Sequence, residues 1–450
     1  AAINADAVTG AKIADDAVGA EHIEVLDAAL QFGDSVKAQF GTGNDSDIFH
    51  DGSNMYLTNT AGSIYIQGKA GENSLKATPD GAIEAYYDNS KKIETTSTGA
   101  TVTGSVVADN VRGRNLMING AMQVAQRGTS STSSGYYTVD RFAVDFSGTN
   151  ENPTQAQVDV TAGTTPYTKG FRKALKITNG NQTGGAGGSD YVRVRHVVEA
   201  QNLANSGWNF KSSSSYITFS FWIKSSVSQN FYGFFRNSEG TQYQYPFETG
   251  SLSADTWTKV TKTIPGNSNL TLNSDNAAGL ELYLHAFAGT NETASGVSLN
   301  AWATYSGTAK MPDFTSTWYT TNDSTLEVTG VQLEVGSTAT TFDHISYGDE
   351  LARCQRYYEV LYMSNGTACC YATGDSTYKW AAMWYFKQEK RAQASVALLD
   401  DAAFTVSGGS GITLTGIFTS KDHAMFYYDS GLFRLGDNNQ HAAVKAESEL

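Results

Sequence analysis

Tyr191, Arg193 and Arg195 are spaced two apart, and the same alternation recurs in residues 280–287, where Glu281, Tyr283, His285 and Phe287 interleave with Leu280, Leu282 and Leu284. In residues 216–224 it separates Tyr216, Thr218, Ser220, Trp222 and Lys224 from Ile217, Phe219, Phe221 and Ile223. A spacing of two puts each set on one face of a strand, so the aliphatic and Phe set faces a core and the mixed set faces away from it. Aromatic rings beside cations and hydroxyls can hold a saccharide: the ring covers the apolar side of the sugar and the polar groups fix its hydroxyls. If these faces adjoin, Tyr191, Arg193, Arg195, Trp222, Tyr283 and His285 make one aromatic, charged, concave ligand-binding surface. A face covered by a neighbouring subunit or a long loop accounts for the same residues equally well, and His285 taken alone suits a hydrogen-bonded structural role. Further along, Tyr378 and Trp380 flank Lys379 after the polar turn Gly374-Asp375-Ser376-Thr377. Large aromatics at a turn form either a subunit seam or a contact patch for a partner, here a second candidate binding site.

Catalysis asks for more than this. The sequence has no His-Glu-x-x-His, no Walker loop and no Gly-x-Ser-x-Gly elbow, and the Gly-rich run 184–188 lacks the spacing of a phosphate loop. Its three cysteines, Cys354, Cys369 and Cys370, form neither a disulfide framework nor a Cys-x-x-Cys metal site. No catalytic or metal-ligating residue and no cofactor is assigned. With 45 acidic residues some carboxylate pair could stand at a glycosidase-like separation, which keeps a glycan depolymerase as the alternative.

Composition bounds the elements that carry these residues. Of 450 residues 12% are aromatic, too many for a disordered chain, and only 17% are charged, against about 25% in an ordinary soluble domain. Gly is frequent (44) and Pro rare (6), which favours short strands joined by tight turns. The expected class is all-β. A net charge of −14 without any Lys/Arg run argues against a nucleic-acid partner. No stretch is apolar enough to span a bilayer, and without an initiator Met the sequence reads as a piece of a longer chain.

Ile3, Val8, Ile13, Val18 and Ile23 recur every five residues, a period that is neither helix nor strand. One apolar side chain per repeat orders only if several chains share an axis, so residues 1–26 are expected to be a multi-chain stalk. Residues 27–112 then read as short strands punctuated by Asp51-Gly52, Asp80-Gly81 and Asp88-Asn89 turns. Isolated hairpins are marginal in water, so this shaft is expected to need interdigitating copies too.

The phrases around Ile48-Phe49-His50-Asp51-Gly52-Ser53-Asn54 and Tyr86-Tyr87-Asp88-Asn89-Ser90-Lys91-Lys92-Ile93-Glu94-Thr95-Thr96 resemble shaft repeats of the tail fibres of tailed bacteriophages, many of them marine or cyanobacterial. Asn115-Leu116-Met117-Ile118-Asn119-Gly120-Ala121-Met122-Gln123 and Gly330-Val331-Gln332-Leu333-Glu334-Val335-Gly336 bracket a region, 113–346, that is similar to the jelly-roll carbohydrate-binding modules of phage fibres and glycan-degrading enzymes. In the wider module family an acidic residue in the opening strand often holds a structural calcium; Gln123 stands there instead. Ser346-Tyr347-Gly348-Asp349-Glu350-Leu351-Ala352-Arg353-Cys354-Gln355-Arg356-Tyr357-Tyr358 is similar to the junction that follows the module, and 347–450 is expected to be a small β-sandwich tip. The resemblance implies an elongated homotrimer on the virion, assembled in the host cytoplasm. It would bind a bacterial surface polysaccharide or outer-membrane protein and join other tail proteins through an N-terminal part outside this sequence.

Overall fold

The computed structural model describes residues 31–104, 113–363, 380–398, 404–406, 414–428, 433–435 and 442–450. The chain divides into two compact units, Ala1–Val106 and Val107–Leu450. The pentads, Tyr378, Cys369, Cys370 and the Gly408–Gly411 run lie outside the described residues. Among the described residues no helix is long and apolar enough to cross a membrane.

In the first unit β1 (Ala38–Phe40), β2 (Ser46–His50) and β3 (Met55–Asn59) make a three-stranded antiparallel sheet. The next five, β4 (Ile64–Lys69), β5 (Glu72–Ala77), β6 (Ile83–Tyr87), β7 (Ser90–Thr96) and β8 (Gly99–Val102), follow one another across a second sheet. Asp88 and Asn89 form the β6–β7 corner with φ of 48° and 56° and Tyr87 opposite Ser90, the left-handed turn that short Asx side chains tolerate. Phe49 and Tyr56 stack across β2 and β3 at 4.9 Å. Among the described residues of this unit the hydrophobic side chains nevertheless gather no buried core. Within 31–104 the one buried residue is Asp47, while Ile83, Met55 and Tyr87 are 57%, 74% and 75% exposed.

The second unit does have a core. Its strands are β9 (Ser130–Ser131), β10 (Ala143–Ser147), β11 (Thr154–Asp159), β12 (Lys173–Thr178), β13 (Tyr191–Glu199), β14 (Tyr216–Ser225), β15 (Asn230–Asn237), β16 (Tyr243–Ser251), β17 (Thr258–Pro265), β18 (Ala278–Ala288), β19 (Ala303–Thr304) and β20 (Thr325–Val335). They pair as two six-stranded sheets, β10-β13-β18-β15-β16-β19 and β17-β14-β20-β12-β11-β9. The alternation read from β14 holds: Ile217, Phe219, Phe221 and Ile223 are fully buried, and Phe219 meets Phe235 of the facing sheet edge-on at 5.0 Å. Each such side chain contributes about 1.5–3 kcal/mol by leaving water. The alternation read from β18 breaks once. Val192 pairs with Phe287 but Arg193 with His285, so a bulge at Ala286 turns Phe287 inward, where it joins the core and stacks on Tyr319 at 4.4 Å.

The bracketing phrases meet in space. Leu116 N donates to Leu333 O and Val331 N to Gly120 O, while the Asn115 side chain bridges Val331 O and Leu333 N. Asn119 sits at φ 63° and donates its backbone N–H to Glu350 of the helix Tyr347–Gln355, which Ser346 caps. Beyond that helix the strands Tyr358–Met363, Ser395–Leu398 and Ala442–Glu447 form a sheet, as do Trp380–Tyr385, Leu414–Thr419 and His423–Tyr428. The end of the chain returns to the sandwich: Glu449 accepts from Arg141, a buried guanidinium that also donates to Val197 O and lies 3.4 Å from the centre of the Tyr357 ring.

Candidate functional site

The two outer faces of the sandwich carry the candidates named from sequence, and they do not adjoin. Trp222 belongs to the β14 sheet, whereas Tyr191, Arg193, Arg195, Tyr283 and His285 belong to the sheet of β13 and β18 on the opposite side. The single concave surface expected from sequence is therefore two separate faces, because β14 pairs with β17 and β20 and never with β18.

On the β14 side the outer face forms a cleft of about 360 Å³, within the usual size of ligand sites at about 300–1,000 Å³. Its floor is Ser220 and Trp222 of β14 and Gly330 of β20. The pairing of these strands slips between Ser220 and Trp222, and Gly330 takes φ 63° at that bulge. A Cβ on Gly330 would stand 2.7 Å from the Phe171 ring and 3.0 Å from Trp222, so only glycine lets both rings lie against this strand. One wall is the segment after β20. It folds back over the sheet because Thr340 N and Oγ1 donate to the Glu334 carboxylate and Asp343 N to the Gln332 side chain. This return sets Phe342 edge-on to Phe171 at 4.8 Å and His344 4.8 Å from Phe342. His344 Nε2 lies 2.9 Å from Lys169 O; with that nitrogen donating, Nδ1 is left as an acceptor. Lys259 of β17 pairs with Trp222 and lines the rim, as does Lys169. The cleft is thus lined by Trp222, Phe342 and His344, with the nearly buried Phe171 and Ser220 behind them, by Lys169 and Lys259, and by Thr340, whose hydroxyl donates to Glu334.

The β13 and β18 side is closed. Tyr191, Arg193 and Arg195 share one face as predicted, with Val192 and Val194 turned into the core. Segment 289–316 lies over Tyr283 and His285, burying them to 7% and 0% exposure beside Met311, Tyr305 and Phe314. Underneath is a charged network: Arg195 pairs with Asp145 at 3.0 Å, Arg236 with Glu281 at 2.8 Å and Lys310 with Glu292 at 2.8 Å. Tyr283 OH donates to Glu281, and burial pushes its pKa up. Among the described residues neither nitrogen of His285 has a hydrogen-bond partner, Glu292 being 3.9 Å away, and burial pushes its pKa far down. The covered face considered from sequence is the arrangement observed here, with a loop of the same chain as the cover.

Trp380 opens the strand Trp380–Tyr385, and Tyr378 falls outside the described residues. The sequence singled out Trp222 and did not single out Phe171, Phe342, His344, Lys169 and Lys259, which line the same cleft. The aromatic run Phe342-Asp343-His344 just past the closing phrase is the signal that could have pointed to the wall.

No protein-family model matches the sequence, and no curated protein matches it. Solved structures give faint likenesses. The enzymatically active domain of bacteriophage CBA120 tailspike protein 4 aligns at 7% identity and a TM-score of 0.26 over 49% of this chain and 21% of its own. The N-terminal cellulose-binding domain of Cellulomonas fimi β-1,4-glucanase C aligns at 12% and 0.22 over 48% and 99%. The tripod from the baseplate of bacteriophage Tuc2009 aligns at 11% and 0.23 over 75% and 91%. At these scores the likenesses carry no argument, and function rests on the residues.

Proposed function

We propose that the chain is the distal, receptor-binding part of a homotrimeric bacteriophage tail fibre and that it acts by binding a bacterial surface glycan, not by cleaving it. The observation that carries the binding role is the Trp222 cleft: a ring platform held open by Gly330, walled by Phe171 and Phe342 and rimmed by hydrogen-bond donors. The unburied hydrophobics of residues 31–104 support the assembly, since copies of the same chain would cover them and the sheets alone do not. Three clefts per fibre raise the effective concentration of each following contact, so weak single sites give firm adsorption.

The test is adsorption to host cells together with the chain length of purified host polysaccharide. The intact protein is expected to bind and leave chain length unchanged, and Trp222→Ala to weaken binding about tenfold or more, the scale of about 1.4 kcal/mol or greater for a lost ring platform. Unaltered adsorption by Trp222→Ala would refute the cleft as the receptor site, and shortening of the polymer would replace binding with depolymerisation.

A further inference from the structure

Resting on that reading of the cleft, we infer that its ligand is an acidic sugar, one carrying a carboxylate or sulfate. The chain is strongly acidic, with 45 Asp and Glu against 31 Lys and Arg, yet no carboxylate lines the cleft and two lysines do. Among the described residues neither Lys169 nor Lys259 has an ion-pair partner, whereas Lys224 on the same sheet is paired with Glu327 at 3.1 Å and lies 5.3 Å from the centre of the Trp257 ring. Two acids of the wall are held by neutral donors and not by either lysine: Glu334 by the Thr340 backbone and hydroxyl, Asp343 by the backbone N–H groups of Arg114 and Asn115. The two lysines therefore line the cleft with no carboxylate among its lining residues, while Glu334 and Asp343 keep their charge behind the wall. A neutral sugar stacked on the indole would leave both ammonium groups without partners, while an anionic substituent on the same ring would reach Lys259, the residue directly across the β14–β17 pair.

Affinity electrophoresis of the full protein separates the cases. The probes are polygalacturonate, alginate and dextran sulfate on one side and neutral dextran and galactan on the other. The expected result is retardation by acidic polymers, weakened about tenfold by Lys169→Ala combined with Lys259→Ala and by raising salt from about 0.02 to 0.5 M, with Lys211→Ala, outside the cleft, unchanged. Equal retardation by neutral polymers that the double variant keeps would overturn the acidic ligand while leaving the glycan reading intact. Retardation by none of the five polymers would remove the glycan reading and the inference with it. Acidic binding that survives the double variant or is lost equally in Lys211→Ala would make it diffuse attraction and overturn the assignment to the cleft.

Discussion

Gly330 decides how closely two aromatic rings approach the sheet. At φ 63° a side chain is strained, and a Cβ there would press into Phe171. Gly330→Ala is expected to cost about 2–4 kcal/mol, the left-handed conformation adding about 1–2 and the overpacking the rest. Denaturant unfolding measures it, and a loss under about 0.5 kcal/mol would mean the rings move aside freely. Trp222 itself was legible because its neighbours in sequence alternate so regularly. Phe171, Phe342 and His344 were not, since irregular segments well over a hundred positions apart from one another at the extremes bring them together, and no local period marks such residues.

At the scale of elements, the strap 289–316 and the strand β18 beneath it make a pH-dependent pair. His285, and His196 near Phe142, are held neutral by burial, with pKa values pushed well below the ordinary 6.5. Their stabilisation is full above about pH 6.5 and shrinks as the pH falls, because the unfolded chain takes up the proton first. Asp140 works the other way: burial raises it to about 6, so its stabilisation is greatest in acid and is lost as the pH rises through that value. The two histidines outweigh it, and unfolding free energy should fall by about 1–2 kcal/mol from pH 7.5 to 5.5. His285→Phe should flatten that slope in parallel denaturant titrations; a sandwich equally stable or firmer at pH 5.5 would contradict the assignment. The inward faces of β14 and β18 could be read from a period of two, but the bulge at Ala286 is a change in pairing and left no compositional trace. The strap could not be foreseen either, since a cover without regular structure has no period.

For the whole molecule, the contrast between the units is the informative feature. One buries a continuous core, and the other has strands and turns without one among its described residues. Ile83→Lys, on a side chain 57% exposed in the single chain, should be nearly neutral in a monomer, worth within about 0.5 kcal/mol. In a shared seam it should lower the trimer fraction in sedimentation equilibrium by severalfold. An unchanged mass distribution would leave the exposed hydrophobics as ordinary surface.

The link between Arg141 and Glu449 spans 308 positions. A ribosome adding about 5–20 residues per second delivers the carboxylate roughly 15–60 s after the guanidinium it neutralises. A sandwich closed around Arg141 before Glu449 is made would hold a buried cation without this counter-charge, with the Val197 carbonyl as an acceptor.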